Sequence, residues 1–591
     1  MRLQARIATC TLFMILCSAV GVAQERKFWP RDPYDVYELD MYERPRISLG
    51  TSYLVHQEGL KELWLKALNR PDPGLQRMVV DTVAIAHERG VPDLEETTDR
   101  MVELLQNPDT RDDLCRAIVQ ALVNMDAKQH AGSIGEFSKQ DGSSVTTLVE
   151  SALARWKSDV LVDVWLQRVR EGTAGSVPTI LAIEGLGELQ VSEAAEAIEG
   201  IVTNPGQPAK LRMVAARTLG GIRNEGTIEI ARKILMQSSP FPELPAILAI
   251  ELLSFNDSDA AIELLTQMLN AERTAVQARA LERMYEIDYQ LVNEQAEKFV
   301  GSSDSNVRRL IAQAMLDSQS VDRIELLANL LDDGVPSLRR LVSAGLIELG
   351  QKETLRDEVY AQSMRILNAD SWRGCEQACV VLTRLDYKPS GGRMVELLKH
   401  PRGEVKVASA WGLSQLRLAE HLPDMVEHAN DVYQGFKAGE LTLAQREYDE
   451  QLAHLFSAFG DQNHQGASEI LLKYVPRDDT LGSECRTAAC WAIGMINAEN
   501  PDANILKLLS ARIRDVSLLP EREETRQMSA VSVARMKGES ELPTLREFAN
   551  PIGSAGRACQ WAIEQLTGEP MEELAETSYT SGSYFLMPIK E

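Results

Sequence analysis

The stretch Val405–Leu416, VKVASAWGLSQL, decides the fold. In the segment before it, Arg393–Glu404 (RMVELLKHPRGE), Met394, Leu397 and Leu398 form one apolar stripe at helical period. Pro401, Arg402 and Gly403 then break the helix, because proline removes a backbone donor and glycine tolerates positive φ. Beyond the break, Val405, Ser409, Ala410, Gly412, Leu413 and Leu416 again fall on one helical face. The pair reads as a helical hairpin, with small residues where two helices must approach closely. Such a hairpin cannot cover its apolar face alone.

Repetition supplies the cover. With Val405 as position 1, positions 9 and 12 take a large apolar residue and positions 5, 6, 8 and 10 often a small one. Position 2 is often basic. The register recurs at LRMVAARTLGGI (from Leu211), VRRLIAQAMLDS (Val307), LRRLVSAGLIEL (Leu338), CRTAACWAIGMI (Cys485) and TRQMSAVSVARM (Thr525). Looser copies start at Leu75, Leu114, Val145, Pro178, Leu244, Val276, Gly374 and Ala555. From Leu114 to Val405 the steps are 31, 33, 33, 33, 32, 31, 31, 36 and 31 residues. A fixed period of this length is the signature of a solenoid.

Segments such as VELLKHPRGEVKVASAWGLSQL and LLDDGVPSLRRLVSAGLIELG resemble HEAT repeats, in the short bacterial PBS-lyase HEAT-like form, from roughly Leu60 to Gly568. The expected fold is all-α, an armadillo-type right-handed superhelix of about 14 hairpins whose second helices present the inner surface. The expected organisation is a signal peptide at 1–23, an irregular aromatic segment at 24–58, the repeats at 59–568 and a tail at 569–591.

Arg2 and Arg6, the apolar run Ile7–Val20 and the small residues Gly21-Val22-Ala23 have the pattern of an export signal cleaved after Ala23. No other run approaches the ~20 apolar residues that cross a bilayer. Export places the chain in the periplasm or outside the cell. The formal charge of −25 becomes −27 once the two signal arginines are gone. So acidic a chain repels phosphate backbones, which argues against nucleic acid. Six cysteines remain after cleavage, all at core-side positions of second helices, where cysteine acts as a small apolar residue. Free buried thiols are expected.

The aromatic N-terminal segment, with Phe28, Trp29, Tyr34, Tyr37 and Tyr42, reads as a cap laid over the first hairpin, since a terminal repeat has a bare outer face. Gly132–Ser144 reads as a polar loop. Two steps are long. Eighty residues separate Val405 from Cys485, with the turn-like Tyr433–Glu440 followed by a capping-box signal, Thr442-x-x-Gln445. Forty separate Cys485 from Thr525, with Val516–Thr525 lengthening one turn. Insertions in repeat arrays map to loops on one face, often the binding face.

Catalytic motifs are lacking. Deoxyhypusine hydroxylases, built on similar repeats, need several His-Glu pairs to hold two irons; here His87-Glu88 stands alone, and Glu420-His421 and Glu427-His428 read as solvated helix ends. There is no Cys-x-x-Cys-His, phosphate loop, HExxH or Gly-x-Ser-x-Gly. The reading is a non-enzymatic scaffold or adaptor of the cell envelope, without cofactor or metal, that takes a protein or peptide partner. The alternative is a HEAT-like lyase-type enzyme or an accessory subunit of an enzyme complex. Position 7 of the second helix carries Trp411, Trp491, Trp561 and Arg217, and position 2 carries Lys406 and Arg486. These six are the expected partner-binding residues, tryptophan being enriched at interaction hot spots. The position-2 bases have a plainer role open to them, bonding carbonyls or the acidic turn of the neighbouring hairpin.

Overall fold

The structure is a computed structural model that describes residues 39–48, 52–55, 59–141, 145–172, 175–223, 225–574 and 577–580. The expected signal peptide lies outside these residues, as do 24–38 and the end of the tail. Paired helices run from Leu60 to Thr567, and the chain is an all-α solenoid of helical hairpins. The second helices that matter below are α1 (Trp372–Arg384), α2 (Gly403–Leu416), α3 (Glu447–Asp461), α4 (Ser483–Ile496), α5 (Glu523–Arg535) and α6 (Ser554–Thr567). α3 is the hairpin helix that the sequence register passed over between Val405 and Cys485.

The local reasons are consistent along the chain. Asp72, Asp304 and Asp502 each accept from two backbone N–H groups of the helix that follows, satisfying donors the helix cannot pair itself. Asp126, Gln190, Gln319, Asp386, Arg417, Asn463 and Lys537 end their helices in left-handed backbone with φ near +50°. Each is followed by one non-helical residue and a single 3-10 turn that starts the next helix, at Lys128–His130, Ser192–Ala194, Val321–Arg323, Lys388–Ser390, Ala419–His421, Gln465–Ala467 and Glu539–Glu541. The corner is thus repeated at backbone level without a shared residue type. Leu219, Leu413 and Ile493, the large apolar residues of the register, are buried.

Two compact units divide the chain. One holds Ser52–Asp288 and the stretch from Thr577; the other holds Tyr289–Glu576 and residues 39–48 of the N-terminal segment. In the first unit lies the one sheet among the described residues: β1 (Ser52–Val55) pairs in parallel with β2 (Thr577–Thr580), Ser52 opposite Thr577 and Val55 opposite Thr580. In the second unit, successive helices from α1 to α6 pack side by side.

Several expectations are corrected. Gly132–Ser144 is not a loop, since Ala131–Asp141 is helical. Ile134 is wholly buried, and Gly135 lets Val160 approach so closely that a Cβ there would stand 2.4 Å from Val160 Cγ1. A polar composition hid a helix anchored by a single apolar residue and one bare glycine. Tyr433–Glu440 is no turn either: the helix Leu422–Ala438 runs through most of it and stops at the left-handed Gly439. Gln445 does accept from the Thr442 N–H at 3.1 Å, yet helix α3 begins only at Glu447. Residues 39–48 do not cap the first hairpin; they lie against the last second helices of the second unit.

Candidate partner-binding face

The face is built by the second helices of the second unit. Its packing depends on small residues where helices meet. Gly460 in α3 faces Trp491 in α4, and a Cβ at Gly460 would lie 2.6 Å from the indole ring and 2.9 Å from Ala492 Cα. Ser532 Oγ in α5 donates to Cys490 O in α4 at 2.7 Å, and Gly494 leaves room for Ser532. Asp449 of α3 accepts from the Cys485 N–H at 2.7 Å and the Glu484 N–H at 3.3 Å, capping α4 from the preceding helix.

Across this face lies an irregular stretch of the N-terminal segment, entered through a 3-10 turn at Asp40–Glu43. Leu39 and Met41 are buried, and the Arg44–Pro45 bond is cis. Tyr42 Oη donates to Glu484 Oε2 at 2.7 Å. Burial raises both of these acids, and for Tyr42 the neighbouring Glu484 carboxylate adds to the rise. Arg44 Nη1 donates to Asp461 Oδ1 at 2.7 Å. The Arg44 carbonyl accepts from Trp491 Nε1 at 3.1 Å and from Arg535. Farther on, Arg557 Nε donates to the Ser48 carbonyl at 3.2 Å. The Arg535 guanidinium also stands 5.3 Å from the Trp491 ring centre. Burial pushes it down to about 10, with Asp461 working against the drop.

The six expected residues fare differently. Trp491 takes part, through its indole N–H, but its ring is buried under the chain's own segment. Trp411 is buried as well, with the Arg384 guanidinium 4.8 Å from its ring centre. Trp561 is partly exposed and Arg217, in the first unit, is exposed. Arg486 and Lys406 are buried and cannot form a basic surface line. Arg486 is held by both oxygens of Glu521, and Lys406 sits 3.9 Å from the Tyr448 ring centre. Other position-2 bases behave alike: Arg212 bonds Val202 O at 2.9 Å, Arg339 bonds Asp333 O at 2.8 Å and Arg526 bonds Ile513 O at 3.1 Å. These three take the plainer role of bonding carbonyls, each in the turn or first helix of its own hairpin, while Arg486 bonds the acidic turn of the next.

Both long connections reach one place. A cavity of about 510 Å³ is lined by Phe436, Leu443 and Arg446 from the first, by Pro520, Glu521 and Arg522 from the second, and by the turn Asp478–Ser483 between them. Leu518 and Leu519 of the second connection are exposed beside it. His428 corrects another expectation: it is buried, not at a solvated end, and its Nε2 lies 3.0 Å from Gln451 Oε1. Among the described residues no group of three or more His, Cys, Asp or Glu side chains could hold a metal, and no helix is long and apolar enough to cross a membrane.

Asp461, Glu484, Arg535 and Arg557 escaped the sequence reading. Nothing in the register marks them, because none stands at a position to which the register assigns a residue type; the available signal was the Tyr-x-Arg-Pro run at 42–45.

No family model matches the chain. No curated protein matches it either. Solved structures of similar shape are importin-β and karyopherin solenoids. Kap95p, in a structure with RanGDP, is 13% identical with a TM-score of 0.47, the match covering 86% of this chain and 72% of that one. Importin beta crystallised from ammonium sulfate is 12% identical with a TM-score of 0.46 and the same coverage. A Kap121p mutant is 9% identical with a TM-score of 0.40, covering 86% of this chain and 52% of that one. Likeness at this level carries no argument about partners; the fold rests on this chain's own helices.

Proposed function

We propose that the protein is a non-enzymatic scaffold of the cell envelope that holds extended segments of partner proteins on the second-helix face of its C-terminal unit. The observation that carries this reading is the docked stretch 42–48, which the face grips largely by its backbone carbonyls. Donors aimed at carbonyls hold any extended chain, so the face is suited to peptide. The export pattern at the N-terminus supports a location in the periplasm or outside the cell, and the repeat resemblance supports a bacterial HEAT-like lineage.

A photoreactive amino acid in place of Trp561, which is partly exposed on α6, tests the reading. The control position is Glu469, highly exposed on a first helix. In envelope fractions of the source cells, cross-links to other proteins form from position 561 and not from position 469. Equal cross-linking from both positions, or none from either, defeats the proposal.

A further inference from the structure

The contacts to the N-terminal stretch are of two kinds. Trp491, Arg535 and Arg557 donate to carbonyls and are indifferent to sequence. Glu484 and Asp461 are not: one accepts a phenol hydroxyl, the other a guanidinium two residues on. Pro45 follows with no N–H, so that position needs no acceptor from the face. Arginine suits the Asp461 site because its fork of donors serves a carboxylate in a fixed geometry. Tyr42, Arg44, Pro45 and Ile47 are only partly buried, so the stretch lies shallow. The fit is also incomplete. Arg535 Nη1 is buried without a hydrogen-bond partner among the described residues, a donor that a better-placed carbonyl would meet.

Resting on the scaffold reading, we infer that this face recognises a partner segment with tyrosine, arginine two residues later and then proline, and that residues 42–45 are the chain's own copy of that motif, displaced when the partner binds. The cis copy is favoured by its attachment to the same chain, which gives it a high effective concentration. A partner segment wins by making the contacts that the cis copy leaves unmet.

The test uses the full chain and a labelled synthetic peptide with the sequence of residues 38–50. Fluorescence anisotropy compares the natural protein with Tyr42→Ala plus Arg44→Ala, substitutions that remove both side-chain contacts of the cis copy, weaken its hold and leave the face intact. The double variant binds the peptide at least tenfold more tightly than the natural chain. Arg44→Ala in the peptide, or Asp461→Asn added to the double variant, weakens binding at least tenfold. Absence of saturable binding to the double variant overturns the inference, as does equal binding of the natural and Arg44→Ala peptides. A natural chain that sediments as a dimer and is released to monomer by the peptide makes a second copy the occupant, and overturns the assignment to a partner protein. Peptide failure with the position-561 cross-links retained removes the motif alone; loss of both removes the scaffold reading too.

Discussion

At the scale of single residues, two glycines separate packing from propensity. Gly460 sits inside α3 where a Cβ would press on the Trp491 ring and on the Ala492 backbone. Neither neighbour yields without cost, because the tryptophan is buried and the backbone belongs to α4. Gly460→Ala is therefore destabilising by about 2 kcal/mol, in the range of overpacked cores. Gly200 is also helical, within Ala195–Thr203, but nothing lies within 4 Å of its added Cβ. There Gly200→Ala gains helix propensity and stabilises by roughly 0.5–1 kcal/mol. Urea midpoints at constant m-value check both, and the prediction fails if the two shifts have the same sign. The first substitution also moves the indole that donates to Arg44, so the N-terminal stretch of that variant becomes more sensitive to protease.

At the scale of elements, the long connection before α5 ends on Glu521, whose carboxylate is nearly fully buried between Arg486 and Arg512. Its Oε1 also accepts from the Arg522 N–H at 3.1 Å. Burial alone would raise this acid, but the Arg486 hydrogen bond and charge outweigh it, and the carboxyl is held below its usual range. Glu521→Gln removes the carboxylate that pairs the buried Arg486, leaving that guanidinium without its counter-charge, at a cost of about 3 kcal/mol. A folded-state value below the unfolded one stabilises above the unfolded value of 4.5, and that contribution is lost as pH falls through the folded value. Melting temperatures of natural and variant protein are thus far apart at pH 7 and converge below pH 4.5; a gap that stays constant down to pH 3 refutes the assignment. Such elements explain what the sequence could show. Period and register are carried by many residues at once, so the hairpins around Val405, Cys485 and Thr525 were legible. Glu521 and Asp461 were not, since each owes its role to a helix that lies a whole hairpin or more away in the chain. The helix at Ala131–Asp141 was lost for the opposite reason, its apolar signal being reduced to Ile134 and Phe137.

At the scale of the whole molecule, the six cysteines of the described residues report on the stacking of the hairpins. All are buried, each in a second helix. Burial pushes the Cys490 thiol up to about 11 and the Cys559 thiol up to about 12, the causes being loss of water around the thiolate in each case. At pH 8 no more than about one thiol in a thousand of the Cys490 kind is ionised, and the thiolate is the reacting species. Were the chain in an oxidising compartment, as the proposed envelope location implies, stacking would still hide its thiols, and unfolding would expose them together. The native protein, isolated without reductant from its source, reacts with less than one equivalent of Ellman's reagent at pH 8. In denaturant the count reads the N-terminus as well: the sequence has eight cysteines, and Cys10 and Cys17 lie before Ala23. Cleavage after Ala23 gives six equivalents and an intact N-terminus gives eight. Four equivalents after cleavage would mean that a disulfide joins two of the buried positions, and would overturn the expectation of six buried thiols.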